Sequence, residues 1–126
     1  MIIALLIAAA DVQQSADDPL EIACLKENES QQGMNQCAGD AYERADKALN
    51  AEWVRVVANY KGEAPAEKLM LDSQRAWLKY RDAHCELAAY ENLGGSIWPL
   101  INSGCLAELT RERTRELAQM LEGEGN

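Results

Sequence analysis

Three long stretches of the chain carry apolar residues at helical spacing and contain few residues that would break a helix. The chain has three prolines and eight glycines, and most of them fall between these stretches. In the first stretch, residues 31–60, one face is marked by steps of three and four: Tyr42, Ala45, Leu49, Trp53, Val56 and Tyr60. Because no run alternates apolar and polar residues as a half-buried strand would, the spacing predicts an all-α fold.

The breaks between the stretches set the predicted helix order. Gly62 suits a helix C-cap, and Pro65 suits the first turn of a second helix over residues 66–91. The core stripe predicted for that helix is Leu69, Ser73, Ala76, Trp77, Tyr80, Ala83, His84 and Leu87. A third helix is predicted over residues 103–121, and residues 19–26 favour a fourth, short helix. We therefore expect an antiparallel bundle of three main helices, with the short helix at its N-terminal end.

The first 18 residues differ in character from the rest. Ile2–Ala10 is an uninterrupted apolar run, too short to span a bilayer, and it ends in small residues as a secretory signal does. No basic residue precedes it, so a short apolar helix of the domain is the alternative. Residues 11–19 are polar and end in a proline, as a linker does. We predict a domain over 19–121, a flexible tail over 122–126, and no membrane span in the mature protein.

Four cysteines, Cys24, Cys37, Cys85 and Cys105, support export. Their number is even, no two form a C-x-x-C pair, and the chain has a single histidine, so zinc binding is disfavoured. Two disulfides in an oxidising compartment fit this pattern, with four buried thiols in a cytosolic protein as the alternative. The four cysteines can pair in three ways. We favour the pairing that joins neighbours along the chain, Cys24–Cys37 and Cys85–Cys105.

The charge balance limits the partners. Twelve basic and 21 acidic residues give a net charge of −9. Nucleic acids and anionic membrane surfaces need clustered Lys and Arg, so both are disfavoured as partners. A basic protein is electrostatically allowed, and its approach would be steered.

Little in the sequence points to catalysis. The one histidine, His84, neighbours Cys85, but adjacent helical positions do not face each other, so a core-edge histidine is the favoured interpretation. No metal-ligand spacing, cofactor motif or nucleophile frame is present in the sequence. The sequence therefore predicts a protein that is not an enzyme and needs no cofactor or metal.

Two clusters remain as candidate sites. Arg81 lies beside the predicted apolar stripe, and Asp46 of the first helix is its predicted ion-pair partner across the bundle; a structural role is favoured over ligand binding. The second cluster is the loop of Gly94, Gly95, Ser96 and Trp98. Its tryptophan suits either a binding anchor or a plug for the end of the core.

Several motifs resemble the lysozyme-inhibitor LprI-like family of small secreted proteins. The similarity covers about residues 20–121, and its most specific block is residues 73–85, SQRAWLKYRDAHC. The other matching blocks are Cys24, residues 34–38, 45–50, 94–97, 103–106 and 113–117. The resemblance implies an exported, helical, disulfide-bonded protein, and it favours a Cys24–Cys37 pair.

Two functions follow as hypotheses. The first is a periplasmic or secreted inhibitor that binds c-type lysozyme, a basic protein. The second is an envelope interaction or stress module that binds another protein and has no effect on lysozyme. The oligomeric state and the binding surface are left open by the sequence.

Overall fold

The computed structural model describes residues 18–124, and within this range the chain forms four α-helices and no strand. The helices are α1 (Pro19–Glu27), α2 (Gln31–Asn59), α3 (Ala64–Ala88) and α4 (Trp98–Glu124), with a 3₁₀ helix at Tyr90–Asn92. The predicted all-α bundle with a short N-terminal helix is confirmed. The signal-like run and most of the linker lie outside the described residues, as do the last two residues of the predicted tail.

Both ends of the last main helix differ from the prediction. The last main helix begins at Trp98 rather than Ser103, because Pro99 falls in its first turn, where its missing N–H costs nothing. The same helix continues to Glu124, so the part of the predicted tail that the structure describes is helical.

Side-chain caps fix the first two helix starts. The Asp18 carboxylate accepts hydrogen bonds from the backbone N–H groups of Leu20 and Glu21, both at 3.1 Å. The Ser30 hydroxyl accepts one from the Gly33 N–H at 3.0 Å. Both caps satisfy N–H groups that have no partner within their own helix, and the Ser30 cap lies in the tight turn between α1 and α2.

The main core lies between α2 and α4. Leu49, Val56 and Leu117 are buried there with Met70 of α3, and Trp53 and Tyr60 pack against them. Asn35 of α2 reaches the backbone just before α4, so these two helices run in the same direction and α3 runs opposite to both. Leu49, Trp53, Val56 and Tyr60 all belong to the face predicted for α2, so that prediction is confirmed.

The face predicted for α3 is wrong except at Trp77, which packs against the core. The buried residues of this helix are Met70, Gln74, Arg81 and Cys85. Leu69, Tyr80 and Leu87, which belonged to the predicted core stripe, are each more than half exposed. His84 is also exposed and stacks on Tyr80, with 5.5 Å between ring centroids, so it is not a core-edge residue. The side of α3 that carries Arg81 and Cys85 faces inward because their partners, Thr110 and Cys105, lie on α4.

Two disulfides join the elements at one end of the bundle. Cys24 of α1 is bonded to Cys37 of α2, and Cys85 of α3 is bonded to Cys105 of α4. The two favoured local pairings are confirmed. No helix within residues 18–124 combines the length and the apolar character needed to cross a membrane.

Candidate functional site: the loop end of the bundle

The loop between α3 and α4 follows the 3₁₀ helix and spans residues 93–97. Gly94 has a φ of +78°, in the left-handed region that side chains rarely adopt. The N–H of Gly95 donates to the Asn92 carbonyl at 2.9 Å, and a Cβ at Gly95 would lie 3.1 Å from that oxygen. The turn thus depends on both glycines.

This loop is fastened on two sides. The Asn35 side-chain amide of α2 donates to the Ser96 carbonyl at 2.9 Å. The Cys85–Cys105 disulfide, with Cys85 fully buried, ties the end of α3 to the second turn of α4. A loop held in this way loses little conformational freedom when it binds a partner.

The four residues predicted for this loop occupy two environments. Gly94, Gly95 and Ser96 lie together on the exposed side. Trp98 is the first residue of α4, it is half-buried, and its indole Nε1 is buried. Trp98 therefore belongs to the start of α4 and not to the exposed tip of the loop.

The large exposed apolar side chains at this end are ones that the sequence had not singled out as binding residues. Leu87, Tyr90 and Leu93 are 73%, 65% and 64% exposed. Leu87 was assigned to the core stripe, and the other two were not assigned to any site. Their spacing of three residues, continued from the helix into the following turn, was the signal that could have found them.

The charged residues of the chain segment around this loop are all acidic. The sequence contains no Lys or Arg between positions 82 and 110, and its carboxylates there are Asp82, Glu86, Glu91 and Glu108. Residues 92–107 carry no charge at all. The loop is therefore a neutral tip with acidic residues behind it.

Arg81 does not form the predicted ion pair with Asp46. Its guanidinium bonds the neighbouring Asp82, at 2.9 Å and 3.0 Å, and donates to the Thr110 hydroxyl at 3.3 Å. The arginine is only 6% exposed and lies over the ring of Tyr42, 5.5 Å from its centroid. The register of α3 on α2 thus brings Arg81 level with Tyr42, one helical turn away from Asp46.

A polar network that the sequence did not reveal continues from Arg81 along α3. The Trp77 ring lies 5.3 Å from the Arg81 guanidinium and 5.8 Å from that of Arg113 on α4. Arg113 also donates to the Gln74 side chain at 2.9 Å and to the Ser73 hydroxyl at 3.2 Å. These contacts are satisfied within the bundle, so the network fixes α3 against α4 and is structural.

A second group of charges lies where α1 begins. Burial raises the pKa of Asp18, but the Arg44 hydrogen bond at 2.9 Å and two backbone N–H groups outweigh it, so the pKa lies below its usual value. Burial, aided by the nearby Asp18 charge, raises the pKa of Glu21 despite the attraction of Arg111. Because the Asp18 oxygens are already occupied by the helix cap and by Arg44, we assign this pair a structural role.

The fold and its loop end together define a class of protein: a small helical protein with two disulfides and a rigid, exposed loop end. The family model described as lysozyme inhibitor LprI matches residues 24–117, and the chain belongs to this family. An uncharacterized protein of Rhizobium meliloti (strain 1021) is 43% identical over 108 residues, covering 77% of this chain and 78% of the relative. No solved structure matches the chain.

Proposed function

We propose that the protein is an exported, non-enzymatic binding protein that inhibits c-type lysozyme. The observation that carries the proposal is the rigid loop end, whose neutral tip is flanked along the chain only by acidic residues, in a chain with a net charge of −9. Membership of the lysozyme inhibitor LprI family supports the same target. Two disulfides support a periplasmic or secreted location, because such bonds persist in oxidising compartments.

The proposed mechanism is occlusion of the lysozyme cleft. The surface of c-type lysozyme is basic, whereas its catalytic cleft holds two carboxyl groups. The acidic residues behind the loop attract the basic surface, and the uncharged Gly94, Gly95 and Ser96 enter the cleft without adding a carboxylate beside those two. Trp98 supports the loop from the end of the core in this arrangement.

The matched glycines of the two interhelical loops provide a test. Gly94 and Gly62 both have a left-handed φ, of +78° and +92°, and a Cβ at either would meet no atom within 4 Å. Gly94→Ala and Gly62→Ala therefore strain the backbone similarly, at about 1 kcal/mol each. They lie at opposite ends of the bundle, so only Gly94→Ala should raise the inhibition constant for c-type lysozyme.

The assay measures residual lysozyme activity against the concentration of each oxidised variant. Equal inhibition by the Gly94→Ala and Gly62→Ala variants would remove the loop from the mechanism. A wild-type protein that leaves lysozyme fully active would support the second function, an envelope interaction or stress module with another protein target. The large exposed apolar residues at the loop end would suit such a target as well.

A further inference from the structure

We propose that Leu87, Tyr90 and Leu93, which we call the ridge, form the apolar centre of the surface on which a cationic protein docks. This inference rests on the proposed function and assigns the contact to residues beside the loop rather than to Trp98. The three residues follow one another at intervals of three through the end of α3 and the 3₁₀ helix. Side chains three apart lie on one side of such turns, so the three side chains form a row.

The ridge brings three highly exposed apolar side chains together in one segment of seven residues. Each of its side chains leaves more than 60% of its surface in contact with water. Single exposed apolar residues are normal on protein surfaces, but a contiguous row with a polar rim is typical of protein interfaces. Tyrosine is enriched among residues whose truncation costs the most binding energy, so we expect Tyr90 to be the strongest contributor.

The inner side of the same segment is fixed. Cys85 and Ala89 are fully buried beneath the ridge, and the Cys85–Cys105 disulfide holds them against α4. The N–H of Ala89 donates to the Cys85 carbonyl, and that of Leu93 to the Tyr90 carbonyl. A ridge carried by this backbone is preorganised, so docking costs little conformational entropy.

The rim charges select the partner. Glu86 and Glu91 flank the ridge in sequence, both are exposed, and neither has a Lys or Arg within four positions of it along the chain. A protein surface with Lys or Arg around an apolar centre would complement the ridge and the carboxylates that flank it.

Two equally exposed residues elsewhere act as matched controls. Val54 is 66% exposed and lies beside Lys61 in the groove between α2 and α3. Leu69 is 68% exposed and follows Lys68. Both lie toward the opposite end of the bundle, away from the ridge. If the substitutions weakened binding only by lowering the overall hydrophobicity of the surface, the control variants and the ridge variants would weaken it equally.

The decisive experiment measures the Kd for c-type lysozyme with single serine variants of the oxidised full chain. We expect Leu87→Ser, Tyr90→Ser and Leu93→Ser each to weaken binding about tenfold or more. Val54→Ser and Leu69→Ser should leave the Kd within about twofold of the wild-type value. Circular dichroism of each variant verifies that the helical content is unchanged.

The charge claim is tested in the same series. Glu86→Gln and Glu91→Gln should lower the association rate and weaken its dependence on salt, whereas Glu63→Gln, at the opposite end, should change neither. Equal effects of all three changes would overturn the rim assignment.

The outcomes separate the ridge from the proposed function. Wild-type binding that is unaffected by the ridge variants would refute the ridge and leave inhibition standing. Binding through the ridge without loss of lysozyme activity would refute inhibition and leave the ridge standing. If light scattering shows a dimer that the ridge variants convert to a monomer, the ridge binds a second copy and the cationic partner is refuted.

Discussion

Two glycines of α2 provide a test of the packing between α1 and α2, because the same substitution should have opposite effects at them. A Cβ at Gly33 would lie 2.8 Å from the Asn28 Oδ1, 2.9 Å from the Asn28 Cβ and 3.0 Å from the Ser30 hydroxyl oxygen. A Cβ at Gly39 would meet no atom within 4 Å. Gly33→Ala should therefore destabilise the protein, and Gly39→Ala should stabilise it.

The magnitudes follow from these contacts. Alanine in place of glycine inside a helix contributes about 1 kcal/mol of stability, which is the full effect expected at Gly39. At Gly33 the new methyl group displaces Asn28, whose amide donates to the Cys24 carbonyl at 2.8 Å. Losing that hydrogen bond costs about 1 kcal/mol, and overpacking adds about 1–3 kcal/mol. The net change at Gly33 is a loss of about 1–3 kcal/mol.

The assay is thermal unfolding of the oxidised protein followed by circular dichroism. A domain of this size shifts its Tm by about 4 °C for each kcal/mol, so the two variants should differ by about 10 °C. Wild-type protein should unfold between them. A Gly33→Ala variant as stable as the Gly39→Ala variant would refute the tight approach of Asn28 to the start of α2.

Four further outcomes are expected from the described contacts. Arg81→Ala should cost about 2–4 kcal/mol in urea unfolding, because it removes a buried side chain that packs between two aromatic rings; a cost below about 0.5 kcal/mol would argue against burial. Replacing both Cys85 and Cys105 by serine should cost about 3 kcal/mol and loosen the loop, measured as faster amide exchange there. Asp18→Asn should lower stability at neutral pH, and the difference from wild type should vanish as the pH falls through the lowered pKa of Asp18. Glu21→Gln should raise stability at neutral pH, since the raised pKa means that the fold disfavours its charge, and this gain should disappear as acid protonates the wild-type carboxyl.

The fold class and the disulfides could be predicted because they depend on local patterns. The spacing of Ala45, Leu49 and Val56 identifies the buried face of α2 with no knowledge of its neighbours. The cysteine pairs follow from short separations along the chain. Apolar spacing can be read within one helix, and cysteine separation can be read across two adjacent helices.

The orientation of α3 could not be predicted in the same way, because this helix is apolar around much of its circumference. Leu69, Tyr80 and Leu87 form as good a stripe as Met70 and Trp77 do, and which one is buried depends on contacts with other helices. Buried Arg81 decided against the more apolar side, since its guanidinium binds Thr110 of α4. The pattern of hydrophobic residues in a sequence does not identify a charged residue that is buried in the core.

The candidate site was predicted in part. The glycines of the loop were visible as turn residues. The half-buried position of Trp98 depends on where α4 begins, and boundaries are the least certain part of any sequence-based assignment. The exposure of Tyr90 and Leu93 depends on the turn that follows α3, and their spacing of three residues from Leu87 was the one sequence signal for it.

The most direct test of the central claim is a titration of c-type lysozyme activity with the oxidised wild-type protein at physiological salt, alongside binding to cytochrome c as an equally basic control. We expect saturable inhibition of lysozyme and no comparable binding to cytochrome c. Full lysozyme activity at saturating protein, or equal salt-sensitive binding to both proteins, would contradict the claim and reduce the acidity of the chain to a general property of its surface.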